Sequence, residues 1–485
     1  MSAYHNGATG RLRKALNNER KFLFTPMANI GVVARLHGNV DQQAVRRAID
    51  KVRVMHPMAA TRIVMDDDHH VWFHTDGVPG IPLRVVERQT ADQWFAEIRR
   101  ERQIPFDAFT GPLLRFVLLR SDGVSDLLVY AQHAICDGTG LAYLLRDVLL
   151  HLANPELEAR PLPTPPSLTS DNLPDGVREN PLVRFARKLY SGRLNRQWRK
   201  NPFFFDMEDL RNIHDAFLHG YTLGLVTAEL STGETEKLIL ACREQNVSVN
   251  SGLTTAFIAA YDEVVGPLQG SKQKVAIPVD MRKRLGKPVG DVLDVYVGSV
   301  MFDFRYDARK PFWENARAFH HVAHRKMDSL ACFQVMYEME DIDGPLMDVL
   351  LGFGTMSQLV APGASRYEKL ASFAQDRKNA ANQLAARFAG ALPGAVNTNL
   401  GNLAFPKRYG EMQLERLYFV PSTGPDFPLV IGVATTSGRL TLTLNYLEET
   451  SSTQAMTAIR DQALSHLGLA EAAQAELSEE AGDAG

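Results

Sequence analysis

One histidine in this chain stands where a base could work. The stretch His133-Ala134-Ile135-Cys136-Asp137-Gly138 follows an apolar run, 127–131, that reads as a strand. It precedes Thr139-Gly140-Leu141, which reads as the start of a helix. A histidine at a strand end, on a turn fixed by an aspartate and a glycine, faces a cleft while being held rigidly. General-base chemistry needs that placement: an imidazole that can be neutral near pH 7, within reach of a hydroxyl or amine proton. Other candidates carry less. Cys136 suggests an acyl-cysteine, but a free cysteine generally behaves as a small apolar residue. His320, His321 and His324 cluster without acidic ligands in a chelating arrangement, so they read as a helical surface group and no metal is expected. Ser248, Asn250 and Ser251 lie at a helix start and suit capping. The chain has no GxSxG elbow, no P-loop and no dinucleotide glycine fingerprint.

Periodicity gives the elements that must hold this turn. Segments 30–36, 113–119 and 127–131 read as strands, and Asp41 can cap a helix carrying Ala44, Val45, Ala48, Ile49 and Val52 on one face. After the turn, Leu141, Leu144, Leu145, Val148 and Leu149 have the spacing of a buried helical stripe. The alternation restarts near Tyr221. Ser231 can cap a helix with Leu238, Ile239 and Ala241, and 249–261 reads as another. Strands are expected at 275–279, 296–302, 396–403, 417–420, 429–435 and 440–446, with Ser437-Gly438 as a hairpin turn and helices filling 310–390. These readings divide the chain into a first lobe (1–160), a connector (161–220), a second lobe (221–468) and a frayed tail (469–485).

The connector opens on Pro161-Leu162-Pro163-Thr164-Pro165-Pro166, which cannot continue a helix. Between 184 and 200 it holds seven Lys or Arg residues and no acids, interleaved with Phe185, Leu189, Tyr190 and Trp198. That pattern reads as a solvated helix packing its aromatic face on the body. It also suits contact with an acidic carrier protein, a phosphorylated cofactor or a membrane surface. The 485 residues are 45% hydrophobic and 22% charged, enough for two or three domains with large cores. A net charge of −3 argues against a nucleic-acid partner. Three scattered cysteines with no CxxC pair argue against a disulfide scaffold and point to a reducing, cytoplasmic setting. No signal peptide and no membrane span are expected.

The hexapeptide resembles the HxxxDG signature of the condensation-domain and CoA-dependent acyltransferase superfamily. That group includes chloramphenicol acetyltransferase-like enzymes, nonribosomal peptide condensation domains, polyketide-associated acyltransferases and wax ester synthases. Other segments are similar to that family's pattern in the same order, from about residue 20 to 465: 52–57 (Val-Arg-Val-Met-His-Pro), Phe106-Asp107 with 111–115, Val279-Asp280-Met281-Arg282 with Gly298, and Asn399-Leu400-Gly401. Two departures stand out. Gln132 occupies the place where many members have the first of two histidines, and the plant-type DFGWG motif is missing. No carrier or adenylation segment is joined to the chain, so a free-standing member is expected.

The resemblance implies an α/β (α+β) fold of two chloramphenicol acetyltransferase-like lobes, a V-shaped pseudo-dimer with a tunnel between them. It implies His133 as the catalytic base, and Asp137 turned away from substrate and paired with Arg282. Gly138 would supply a positive φ or room for a pantetheine arm, and Asn399 and Gly298 would shape the tunnel. The implied co-substrate is a phosphopantetheine thioester, on an acyl or peptidyl carrier protein or on CoA, with no bound cofactor or metal. The acceptor would be an alcohol or an amine. Two alternatives stand beside this reading: a catalytically degenerate domain that binds a carrier protein, and a wax-ester or lipid acyltransferase at a membrane surface. Ester or amide product, donor, acyl chain and oligomeric state stay open.

Overall fold

Two six-stranded sheets repeat one pattern of four strands. The computed structural model describes residues 10–469 except 165, 175, 176, 178, 288 and 335–338. The expected tail beyond Leu469, and Pro165 of the connector, lie outside the described residues. In the first sheet β2 (Asn29–His37), β7 (Val124–Gln132), β6 (Leu114–Arg120) and β5 (Leu83–Glu87) lie side by side, paired antiparallel, antiparallel and parallel. In the second, β8 (Leu223–Glu229), β15 (Arg439–Leu447), β14 (Leu429–Thr436) and β11 (Ala395–Asn402) have the same order of pairings. The first sheet extends past β2 by β13 (Met412–Val420) and β12 (Arg408–Tyr409). The second extends past β11 by β9 (Lys274–Asp280) and β10 (Val297–Asp303). A small sheet, β1 (Arg11–Lys14), β4 (Val71–His74) and β3 (Arg62–Met65), flanks the first. This is the two-lobed α/β architecture expected from the sequence.

The apolar runs form strands because both faces are covered. Along β7, Leu127, Val129 and Ala131 enter one core while Leu128 and Tyr130 enter another, the period-2 alternation of a pleated strand. The first core is closed by α2 (Gln42–Met55) and α4 (Gly138–Ala153), the latter through Leu141, Leu144, Leu145, Val148 and Leu149. On β15 the alternation has a different use. Leu440, Leu442 and Leu444 fill the second core. Thr441 and Thr443 point the other way, and each hydroxyl donates at 2.6 Å to a β13 carbonyl, of Leu417 and Phe419 respectively. At Gly432 an added Cβ would lie 2.4 Å from the Phe419 oxygen, so the sheets touch there through backbone. The Ser437-Gly438 turn forms the expected hairpin, with φ of 53° and 79°, both in the left-handed region.

Two placements could not be read from periodicity. The segment 408–420, encoded between two strands of the second sheet, pairs with β2 in the first. The helices Gly344–Leu350, Phe353–Met356, Tyr367–Gln375 and Ala380–Ala389 also bury their apolar faces in the first lobe's core. In the connector, α5 (Pro181–Trp198) packs Leu194 and Trp198 inward. Of its expected aromatic face only Trp198 packs: Phe185 is 69% exposed, Leu189 64% and Tyr190 43%. No described helix is long and apolar enough to cross a membrane.

Candidate active site

His133 occupies the turn between β7 and α4, at the seam of the lobes. Its backbone N–H donates to the Ala28 carbonyl at 3.0 Å, and its Nδ1 lies 2.8 Å from the Cys136 carbonyl. A carbonyl can only accept, so Nδ1 carries the hydrogen and Nε2 is left with its lone pair. The imidazole stacks flat on Phe22, with centroids 4.3 Å apart and planes 3° from parallel. Burial holds the imidazole below its ordinary range, with Lys21's charge acting in the same direction against Asp137. The ring is therefore neutral at pH 7, with one basic nitrogen free.

Phe22 is brought to this ring by α1 (Asn17–Leu23), and Gln132 fixes it. The buried Gln132 amide donates to the Phe22 carbonyl, while its Oε1 accepts from the Ala134 N–H at 2.6 Å. The residue that departs from the two-histidine pattern thus ties α1 to the turn bearing His133. Arg20, on the same helix, forms a buried pair with Asp348 at 2.5 Å. Phe22 and Lys21 carry no motif. Their proximity to His133 depends on where α1 docks, which local spacing does not encode.

Asp137 makes no contact available for proton transfer. Oδ1 accepts from the Gly140 N–H at 2.7 Å, capping α4. Oδ2 accepts from Arg282 Nη1 at 2.9 Å and from the Tyr296 N–H at 2.7 Å, both from the second lobe. Arg282 is 2% exposed; burial disfavours its charge, but Asp137 and Asp280 outweigh that and hold the guanidinium above its ordinary range. Its Nη2 donates to the Val292 and Asp294 carbonyls. The segment 291–296 is pinned to the first lobe at further points. Leu293 N–H donates to His56 Nδ1 at 3.3 Å, while His56 Nε2 bonds Asp147 on α4 at 2.9 Å. Arg13 grips Asp294 at 2.7 Å and Glu19 at 2.6 Å. One cation between two buried carboxylates leaves Asp294 raised, by burial and with Glu19's charge adding to it.

The glycines and Asn399 line the opening. Gly138 is the first residue of α4 and is not in the left-handed region; an added Cβ would meet the Phe419 ring at 2.6 Å and Leu400 at 2.8 Å. Gly298 borders the cavity, and a Cβ there would come 2.3 Å from the Cys332 carbonyl. Asn399 accepts from the Gly401 N–H at 2.7 Å and donates to Asn250 at 3.2 Å. Cys136 is fully buried, and burial pushes its thiol well up, away from nucleophilic use. His320 lies apart, accepting from the Ser248 N–H and bonding the Ser251 hydroxyl at the start of the helix Val249–Val264.

Three cavities run in series through the seam. The central one, about 280 Å³, contains His133 among Phe22, Met27, Ile30, Phe419 and Phe427. On one side it shares Asp137, Gly138, Pro278, Val297 and Thr398 with a polar cavity of about 470 Å³ that reaches Asp280, Lys283 and Asn399. On the other it shares Met27, Leu351 and Phe427 with a chamber of about 940 Å³ beneath the helices of 353–389. His133 thus borders a cavity whose walls are shared with a further cavity on either side.

Residues 24–167 match the family model of the condensation domain. Among curated proteins the chain is similar to the hybrid PKS-NRPS synthetase thnA of Trichoderma harzianum, 29% identical over 123 residues, which is 25% of this chain and 3% of that protein. It is also similar to chondramide synthase cmdD of Chondromyces crocatus, 28% identical over 175 residues, 33% of this chain and 4% of that one. The chain thus matches only a few per cent of these relatives' length. Among solved structures, TRI3 trichothecene 15-O-acetyltransferase from Fusarium sporotrichioides superposes with a TM-score of 0.64 at 12% identity, over 97% of both chains. Polyketide synthase associated protein 5 from Mycobacterium tuberculosis gives 0.58 at 15%, over 94% of this chain and 98% of that one. The first condensation domain of the CDA synthetase gives 0.57 at 12%, over 96% and 98%. The chain shares the fold of these structures over 94–97% of its length, and residues 24–167, in its first lobe, carry the condensation-domain sequence match.

Proposed function

We propose that this protein is a condensation-type acyltransferase. It moves an acyl group from a phosphopantetheine thioester, on a carrier protein or on CoA, to the hydroxyl or amine of an acceptor. The observation that carries this reading is the free, neutral Nε2 of His133 in a cavity that shares its walls with a cavity on either side. Nε2 takes the acceptor's proton as the acceptor's oxygen or nitrogen attacks the thioester carbonyl. Collapse of the tetrahedral intermediate breaks the C–S bond, and the imidazolium returns the proton to the departing thiolate. Asp137 and Arg282 hold the turn that aims the ring. Asn399, Gly298 and Gly138 shape the cavity walls. His133→Ala should fold as the parent does and lose at least about a hundredfold in transfer from acyl-CoA or acyl-carrier donors. Unchanged turnover in that variant would remove His133 as the base; absence of transfer in the parent would leave a domain that binds carrier protein without catalysis.

A second reading, transfer at a membrane surface, is favoured by α5. Leu182, Phe185 and Leu189 form an outward apolar stripe at i, i+3, i+7 beside the exposed Arg184 and Lys188. Co-sedimentation with phosphatidylglycerol vesicles, abolished in a Phe185→Ser, Leu189→Ser variant, is its expected result. Absence of sedimentation in the parent removes it.

A further inference from the structure

Three ionisable side chains border the central cavity: His133, Asp137 and Lys21. The mechanism uses the first, and Arg282 with two backbone N–H groups satisfies the second. Lys21 has no carboxylate. Among the described residues its ammonium makes no ion pair and no side-chain hydrogen bond, only a contact 4.6 Å from the centre of the Phe22 ring. The same ring stacks on His133 at 4.3 Å, so the cation and the base both lie against a single phenyl. Burial holds the amine down at about 8, with no opposing charge acting on it. A half-buried charge without a counter-ion is costly, and here it faces space lined by Met27, Phe419 and Phe427.

We infer that Lys21 makes this cavity a site for an amphiphilic carboxylate, and that the acceptor therefore enters as a free amino or hydroxy acid rather than as a carrier-bound thioester. The inference rests on the acyltransferase reading and specifies its acceptor. The apolar walls take the acid's hydrocarbon body, and the ammonium takes its carboxylate in a charge-assisted hydrogen bond. A pantetheine phosphate is excluded as the anion by reach, because the whole arm separates it from the thioester carbon that must sit at His133. The donor's own carboxyl is consumed in its thioester; the acceptor's is not.

The test is binding, read by isothermal titration on the full chain with 3-phenylpropanoate and its neutral amide. The acid should bind at least about tenfold more tightly than the amide. That preference should vanish in Lys21→Met and in Lys21→Gln, persist in Lys21→Arg, and fade above pH 8 as the amine loses its proton. A parallel pair, succinyl-CoA against butyryl-CoA, should show no Lys21-dependent difference. Three results would overturn the inference: equal binding of acid and amide, a preference that survives both neutral variants, or Lys21 sensitivity confined to succinyl-CoA. His133→Ala should keep the acid-over-amide preference, so failure of transfer and failure of this site are separately visible.

Discussion

The same strand-turn-helix occurs twice in this molecule, once in each lobe. In the first, β6 and β7 lead through 133–137 into α4, which Asp137 caps. In the second, β14 and β15 lead through 448–452 into the helix Thr453–His466, which Ser452 caps by accepting from the Ala455 N–H at 3.1 Å. The two turns have equivalent places in equivalent sheets. The second is exposed: its cap bonds within the turn, Thr450 reaches back to the Leu447 carbonyl, and its pair with the first lobe, Glu448 with Arg99 of α3 (Gln93–Arg102) at 3.0 Å, is open to solvent. The first is buried at the seam, and its cap accepts from Arg282 and Tyr296 across it. A cap is a local device worth about 1 kcal/mol; a cap gripped by the opposite lobe becomes a joint. Chemistry resides at the turn where the lobes meet, not at every copy of the motif.

That contrast can be broken by mutation. Arg282→Met leaves Asp137 buried without its cation and should cost about 3–5 kcal/mol in urea unfolding. Adding Asp137→Asn should recover part of the loss, since the orphaned charge is then gone. Ser452→Ala, the matched change in the other turn, should cost only about 1 kcal/mol and leave transfer untouched. If the two single variants lose equal stability, the joint is no more than a cap. A smaller effect sharpens the same point. The ring of His133 is held below its ordinary range by burial at the seam, so the acid limb of kcat/KM should have its midpoint below 6.5, with the base form present above it. Lys21→Met removes a cation that lowers the ring and should move this midpoint upward. A midpoint at about 6.5 in the parent would show that the turn is solvated like its counterpart.

The sequence exposed what is local. The apolar run, His133, Asp137 and the stripe after it are consecutive, so strand, turn and helix could be read together, and the period-2 burial of β7 follows from that run. The pairing of Asp137 with Arg282 spans 145 positions and was accessible only through family resemblance. Phe22, Lys21 and Arg13 were not legible, because nothing in their spacing says where α1 and β1 dock. Gln132 reads only as a departure from the pattern, because its role, joining Ala134 to Phe22, exists only after docking. Alternation identifies 417–420 as a strand but cannot say which sheet it enters. In α5 only Trp198 of the expected face packs, for a related reason: amphipathic spacing defines a face, not a neighbour.

The strand β13 carries a practical consequence. It is encoded between β11 and β14 of one half yet completes the other beside β2. Anyone recombining halves between related genes must therefore transplant 408–420 together with the N-terminal portion. A chimera joined at the connector alone would mate each β2 with a foreign edge. Expression of either half in isolation would leave an unpaired ribbon of main-chain donors and acceptors, an invitation to aggregation.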